Sequence, residues 1–199
     1  MGSMPPTVGS AAGRAPQGAE GVERDLLART AQRDLRSFEA LYKLYHPRLA
    51  RFVLNLTRRH ALVEEAVNDT MVVVWNKAAG FHGRSRVSTW IFSIAYRKAL
   101  KALRRWDEPL PDPADERAAP ERDPETRLSD GQARESLSAA IRGLSKDHRA
   151  VVELAYFHEF GYREIAEIMG CPVDTVKTRM FHARRNLRAR LAGTLSDWL

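Results

Sequence analysis

The run Gly161 to Leu191, GYREIAEIMGCPVDTVKTRMFHARRNLRARL, restricts this part of the chain to a short helix, a tight turn and a longer basic helix. Gly170 is a natural end for the first helix, because it tolerates the left-handed backbone that a helix C-terminus needs. Cys171 then stands where an N-cap would, and Pro172 suits the first helical position, where its missing N–H costs nothing. Asp174 falls in the first turn of the second helix, where negative charge favours the helix dipole. Val176, Met180, Ala183, Leu187 and Leu191 recur at three- and four-residue spacing and form one apolar stripe. Lys177, Arg184, Arg185 and Arg188 lie off that stripe, with Thr178, Phe181 and His182 near the helix start. This is the layout of a helix-turn-helix whose second helix enters a DNA major groove. An amphipathic hairpin with a solvated basic face is the plainer reading. Turn chemistry, stripe and charge all agree with the DNA reading, which is why it is preferred.

The charge balance supports a polyanionic partner: the 199 residues carry a formal net charge of +7. That charge is uneven, with an acidic middle and basic segments on either side. An anionic membrane surface would also suit a basic chain, but no stretch has the length of a spanning segment. The start lacks the basic-then-apolar order of a secretory signal. Cys171 is the single cysteine, which excludes intramolecular disulfides and zinc ribbons and points to a reducing cytoplasm.

Residues 1–21 are rich in Gly, Ala, Pro and Ser without hydrophobic period, and are expected to be a disordered tail. Residues 22–106 form a first helical unit. Val22 to Thr57 is helical by pattern, with Pro47 marking a start or kink. Further helices are expected from about Leu62 to Ala78 and from about Ser88 to Arg105. Between them lies the glycine-punctuated basic loop Gly80-Phe81-His82-Gly83-Arg84-Ser85-Arg86. Residues 107–131 change character: Pro109, Pro111, Pro113, Pro120 and Pro124 break regular structure among acidic residues, giving an extended linker. Residues 132–199 form a second helical unit, with helices at Ala133 to Ile141 and from an N-cap at Ser145 through Phe157. Val151, Val152, Leu154, Ala155 and Tyr156, with Ile165, Ala166 and Met169, are its expected core. The fold class is therefore all-α, two small helical domains joined by a flexible linker.

Two surfaces of the first unit carry opposite charge. LVEEAVNDTMVVVW, from Leu62 to Trp75, sets Glu64, Glu65, Asn68 and Asp69 on its polar side and Val63, Ala66, Val67, Val74 and Trp75 on its apolar side. The helix from Thr89 to Arg105 is expected to bury Trp90, Ile91, Ile94 and Leu103, and shows Arg97, Lys101, Arg104 and Arg105 on one basic face. Charge runs are usually only solvated faces. Here a basic helix, a Gly/Arg loop and aromatic residues are tethered to a separate DNA reader, and the combination favours nucleic-acid binding.

Taken together, the segments resemble an alternative RNA polymerase sigma factor of the extracytoplasmic-function group of the sigma-70 family. LVEEAVNDTMVVVW is similar to the region 2.2 signature. FHGRSRVSTWIFSIAYRKALKALRR resembles regions 2.3 and 2.4, and FGYREIAEIMGCPVDTVKTRMFHARRNLR resembles region 4.2. The similarity spans about Leu26 to Arg105 and Arg134 to Leu191, and no sigma region 1.1 or region 3 domain fits the remaining length. The resemblance implies that Glu64, Glu65, Asn68 and Asp69 face the clamp helices of the polymerase β′ subunit. It implies that Phe81, His82, Arg84 and Ser85 read the minus-ten element, with Arg97, Lys98 and Lys101 on its phosphates. Trp90 is expected in the core rather than as a melting wedge. Lys177, Thr178, Phe181 and His182 match the positions that contact bases of the minus-thirty-five element, with Arg179, Arg184 and Arg185 on phosphates or a nearby partner surface. Core RNA polymerase (with the β flap as well as β′), promoter DNA and an anti-sigma protein are the implied partners, with no cofactor and no metal. The implied place is the cytoplasm, on the nucleoid when in holoenzyme. Two positions depart from the family pattern: Leu62 stands where Asp is common, and His182 where many relatives carry Arg.

Two other classes compete. An enzyme is disfavoured: His158-Glu159 opens like a zinc-protease motif, but Tyr162 occupies the second His position. There is no P-loop lysine or nucleophile elbow either. A stand-alone helix-turn-helix regulator would need residues 22–106 to be a sensor, yet they present a basic loop and helix.

Overall fold

The computed structural model describes residues 17–107 and 130–195, with side chains for 19–107 and 136–191. Eight α-helices and no strand occur among the described residues. They are α1 (Gln17–Ala31), α2 (Leu35–Thr57), α3 (Val63–Lys77), α4 (Val87–Asp107), α5 (Asp130–Arg142), α6 (Lys146–Val152), α7 (Tyr162–Met169) and α8 (Val173–Leu195). Single 3-10 turns at His60–Leu62 and Ala78–Gly80 flank α3, and a π-helical turn, Glu153–Phe157, extends α6.

The expected tail up to residue 16 and most of the expected linker lie outside the described residues. Gln17 to Gly21, however, are helical rather than disordered. Glu20 pairs with Arg24 one turn on, at 2.9 Å, and α1 is anchored by the buried Leu27 and Thr30. Two of the expected boundaries also move: α4 runs to Asp107 and α5 begins at Asp130, each just inside the span read as linker.

The expected helix Val22 to Thr57 is two helices, and the break is not at Pro47. It comes at Arg33, whose φ of 69° is left-handed. Asp34 restarts the chain as N-cap of α2, accepting from the Arg36 N–H at 3.0 Å and from the Ser37 hydroxyl at 2.7 Å. Those bonds, the Ser37 one foremost, lower the Asp34 pKa. Pro47 sits within α2 on its exposed side, where losing one intrahelical bond does not end the helix.

In the first unit α2, α3 and α4 pack over Leu41, Leu49, Phe52, Val67, Met71 and Ile91. α1 closes the side of this bundle. In the second unit α5 to α8 pack over Leu144, Val151, Leu154, Ile165, Val176 and Met180. The α8 stripe is as read: Val176, Met180 and Ala183 are buried, and Leu187 and Leu191 half-buried. Ser145 caps α6 by accepting from the His148 N–H at 3.3 Å. Tyr156, expected in the core, is 58 % exposed instead. The π turn inserts an extra residue per turn, which rotates Tyr156 and Phe157 away from the side that buries Leu154. α8 begins at Val173, one residue after the expected start, and the Pro172 carbonyl accepts the first α-helical bond, from Val176 at 3.2 Å.

The two units share one core. α4 packs on α7, and α2 packs on α6 and the π turn. Phe52 and Phe92 of the first unit meet His158 and Phe160 of the second, with ring centroids 4.7 Å apart for Phe92–His158 and 5.0 Å for Phe92–Phe160. Two arginines brace this junction reciprocally. Arg149 donates to the Leu56 carbonyl of α2 at 3.2 Å and to the carbonyls of Arg142 and Leu144 in its own unit. Arg58, at the end of α2, donates to the Arg142 carbonyl of α5 at 2.9 Å. Each guanidinium thus meets the carbonyl end of a helix from the other unit, where positive charge is favoured.

Burial pushes the His158 imidazole down to about 4, with Arg48 and Arg51 adding to the effect. His158 is neutral in this packing and regains an ordinary value near 6.5 when unfolded. Its contribution therefore stands above about pH 6.5 and is lost as pH falls toward 4. Glu153, also buried at the junction and raised by burial, acts in the opposite sense. Replacing His158 with Phe isolates the histidine share: the fall in Tm between pH 6.5 and pH 4 becomes smaller than in the unaltered protein. Phe92→Ala, from a fully buried position, lowers unfolding free energy by about 3–5 kcal/mol, measured by denaturant titration at neutral pH.

Candidate nucleic-acid interface

Three exposed surfaces carry the residues singled out in the sequence. On α3, Glu64, Glu65, Asn68 and Asp69 are all exposed, because Val63, Ala66, Val67, Thr70, Met71 and Val74 take the buried side. This acidic ridge is already partnered. Glu64 is 3.3 Å from His46, and the Asn68 side-chain oxygen accepts from the Tyr42 hydroxyl at 2.9 Å. Asp69 pairs with Lys98 at 2.9 Å and Glu65 with Arg105, both across the α3–α4 groove. Exposed pairs of this kind contribute about 0–1 kcal/mol each, so they fix geometry weakly and exchange readily for another partner.

The second surface is the loop between α3 and α4 with the outer face of α4. Phe81 lies against Trp90, ring centroids 5.3 Å apart, while His82 and Arg84 are exposed and Ser85 is half-buried. Gly83 takes φ 68°, the left-handed turn that swings the loop outward. Trp90 is half-buried, packed on the core edge beneath Phe81 rather than fully inside, and Leu103 is likewise only half-buried. Arg97 and Lys101 are exposed on α4, with Arg97 donating to Ser93 Oγ at 3.1 Å. Lys98, expected on phosphate, is instead held by Asp69.

A hollow of about 460 Å³ opens beside this loop, between Phe81, His82 and Gly83 and the α1 residues Arg24, Leu27 and Ala28. The contribution of α1 was missed in the sequence, where residues up to 21 read as tail and the rest of α1 as the start of a longer helix. The spacing of Leu27, Ala28 and Ala31 was its only signal. Arg86, also not singled out, is tied to carboxylates of both units, 3.7 Å from Glu20 and 3.4 Å from Glu164.

The third surface is the start of α8. Lys177, Thr178, Phe181, Arg184 and Arg185 are exposed, opposite the stripe that roots the helix. Phe181 is 63 % exposed, an unusual place for a large apolar ring. Lys177 pairs loosely with Asp174 at 2.9 Å. His182 is half-buried beside His148, with Phe181 edge-on to it. Arg184 donates to the Tyr156 hydroxyl at 3.1 Å. Arg179 stands apart from the reading given to it. It is 25 % exposed, and it bridges to Asp147 of α6 at 2.6 Å and donates to the Cys171 sulfur at 3.7 Å, so its side chain fastens α8 to α6. Among the described residues no helix is long and apolar enough to cross a membrane, and no group of three metal-binding side chains occurs.

Comparison with known proteins meets the same division. Residues 41–107 match the family model "Sigma-70 region 2", and residues 134–187 match "Sigma-70, region 4". The chain is 32 % identical over 165 residues to the ECF RNA polymerase sigma factor RpoE of Cereibacter sphaeroides, covering 80 % of this chain and 89 % of that one. This chain belongs to the extracytoplasmic-function sigma factors. The sigma factor is also 28 % identical to the RNA polymerase sigma factor YlaC of Bacillus subtilis, over 78 % of this chain and 92 % of that one. Its fold matches the structure of CnrH in complex with the cytosolic domain of CnrY. The TM-score is 0.64 at 22 % identity, covering 86 % of this chain and 98 % of that one. It also matches RpoE of Bartonella quintana in complex with the anti-sigma factor NepR, at TM-score 0.63 and 24 % identity, over 79 % and 98 % of the two chains.

Family and fold place α3 and α4 in region 2 and α7 and α8 in region 4 of an alternative sigma factor that directs transcription initiation. The Arg179 contacts distinguish it from its neighbours on α8. Arg179→Ala lowers thermal stability more than Arg185→Ala does, because the first breaks a half-buried bridge and the second removes an exposed charge; parallel melting curves check the order.

Proposed function

We propose that the acidic ridge of α3 docks on the clamp helices of the polymerase β′ subunit, that the α3–α4 loop takes the minus-ten element, and that α8 reads the minus-thirty-five element. The observation that carries the reading of α8 is Phe181. A ring 63 % exposed, one turn beyond Lys177 and Thr178 and followed by Arg184 and Arg185, suits thymine methyls within a frame of phosphate contacts. Lys177 donates to guanine acceptors, Thr178 contacts a base or a methyl group, and His182 at the edge of this face modulates the preference. Arg184 and Arg185 hold phosphates, which position the helix without reading sequence. Arg179 is withdrawn from that set and serves as the fastening of the recognition helix.

At the minus-ten end, single-stranded bases are read by stacking and by pockets. The hollow between Phe81, His82 and α1 offers an apolar floor and two ring edges for an extruded base. Arg84 and Ser85 follow next along the loop and supply polar contact. Arg97 and Lys101 are open to the strand's phosphates, and Lys98 joins them once Asp69 is engaged by the polymerase. The β flap is the second polymerase contact, through the region 4 unit. The Bartonella quintana RpoE solved with the anti-sigma factor NepR supports an inhibitor for this chain as well, and the site of action is the cytoplasm, on the nucleoid when in holoenzyme. The family matches lend nothing to the stand-alone regulator reading.

Core RNA polymerase mixed with the protein and a promoter library is the direct test. Sequence-specific transcripts that need the protein support the reading, and a duplex shift by the protein alone with no transcript from any promoter refutes it. Glu65→Lys reduces capture of core polymerase while leaving the far-ultraviolet circular dichroism unchanged; undiminished capture removes the ridge from the interface. Phe181→Ala relaxes preference at one minus-thirty-five position by about 1–3 kcal/mol. Arg185→Ala instead weakens all sequences together and lowers the salt slope by about one.

A further inference from the structure

Two hollows adjoin the loop between α3 and α4, and their linings are chemically opposite. The one beside α7, of about 400 Å³, is lined by four guanidinium groups: Arg24 of α1, Arg84 and Arg86 of the loop, and Arg163 of α7. The carboxylates of Glu164 and Glu167 also line it, but no aromatic or large aliphatic side chain does. The one beside α1, of about 460 Å³, has Leu27, Ala28, Phe81 and His82 in its wall. Both are lined by Arg24 and Gly83, and Gly83 has open space where a Cβ would stand, so no side chain divides them there. Each volume falls in the range of roughly 300–1,000 Å³ that takes small molecules. We propose that the two hollows together form a site for a nucleoside triphosphate, with its phosphate chain among the arginines and its base against Phe81 and His82. This goes beyond the reading of the loop as a minus-ten reader and does not need it.

The argument turns on which of these charges is already satisfied. Arg24 pairs with Glu20 at 2.9 Å, and Arg86 lies 3.4 Å from Glu164 and 3.7 Å from Glu20. Glu164 is engaged further, accepting from the Thr89 hydroxyl at 3.1 Å and from the Gly161 N–H at 3.0 Å. Arg84 and Arg163 are exposed, one on the loop side and one on the α7 side, and neither has an ion-pair partner among the described residues. The half-buried Ser85 hydroxyl, next to Arg84, makes no hydrogen bond among them either. Two guanidinium forks with free donors, on elements 79 positions apart, call for an anion that offers oxygens at two separated points. A phosphodiester brings one negative charge per nucleotide, whereas a triphosphate chain brings several on linked groups and can meet both walls. The neighbouring hollow then decides what the chain is attached to. A flat base seated on an apolar floor with two aromatic ring edges is the complement of that wall, as in single-strand binding sites. Glu167, exposed on the α7 side and without an ion-pair partner, opposes the anion and holds its affinity down.

Isothermal titration calorimetry on the whole chain tests this, at low salt and without divalent cations, with ATP and GTP set against inorganic tripolyphosphate. At least one nucleotide binds one to one and raises the Tm, as a ligand of the folded state must. Tripolyphosphate binds about tenfold more weakly, because it leaves the apolar hollow empty. Arg163→Gln weakens nucleotide and tripolyphosphate alike, by about fivefold. Glu167→Gln tightens both, since it removes the opposing charge. Both residues are exposed, so their exchange leaves the melting curve of the unliganded protein in place. Phe81→Ala weakens the nucleotide and leaves tripolyphosphate unchanged. Lys146→Gln, an exposed cation outside both hollows, changes neither. The site is overturned if no nucleotide binding saturates, or if Lys146→Gln costs as much as Arg163→Gln, which is the mark of general charge attraction. Tripolyphosphate as tight as the nucleotides overturns the nucleoside assignment. No polymerase or promoter enters the measurement, and Arg163 and Glu167 stand outside the residues given to the minus-ten element, so failure here is distinguishable from failure of that assignment.

Discussion

Arg149 is the point on which the packing of the two units turns. A guanidinium only 6 % exposed, and depressed in basicity mainly by that burial, needs acceptors at full strength. It takes them from the ends of helices in both units, Leu56 on one side and Arg142 and Leu144 on the other. Truncating such a group would leave carbonyls of both units short of a donor in a dry place. With that junction in place, the outward direction of the remaining surfaces follows. α3 turns its acids out, α4 its cations, and α8 its Phe181 edge.

Much of this is legible in the sequence alone. The α8 stripe was read residue for residue, since a period of 3.6 with a large apolar–charged contrast leaves few ways to bury the helix. The acidic ridge was legible for the same reason. The break between α1 and α2 was not, because apolar residues continue in phase across it from Leu27 to Leu41 and the left-handed residue is Arg33, which carries no turn signal. Asp34 followed by Ser37 was the only local cue. Tyr156 was misplaced because a π turn shifts the face by one residue and leaves no compositional mark. The fastening role of Arg179 needed the third dimension: Asp147 lies 32 positions earlier, and on a helix crowded with arginines nothing in the sequence distinguishes the one that folds back.

The junction between the units lay beyond sequence reading altogether. In the sequence His158 offers only the opening of an incomplete zinc-protease motif, and nothing marks Arg149 or Arg58. Only the approach of α2 to α6 gives them carbonyls and rings to meet. A proline-rich connection speaks for separable units, and that expectation describes the chain's connectivity. It does not describe how strongly the units attract one another once each is folded, because that depends on faces contributed by four different helices.

The pairs across the α3–α4 groove link two surfaces that would otherwise be independent. Lys98 and Arg105 are neutralised by Asp69 and Glu65. Any cationic surface that claims those two carboxylates strips the counter-charges from α4 and leaves its outer side more positive. A polyanion laid along α4 then meets a stronger field than it would on the isolated chain. By the reciprocity that governs all such linkage, the polyanion in turn makes the carboxylates more available to their cationic partner. Two weak, solvent-exposed bridges thereby act as an electrostatic relay between the back of the bundle and its front, with no movement of the backbone required.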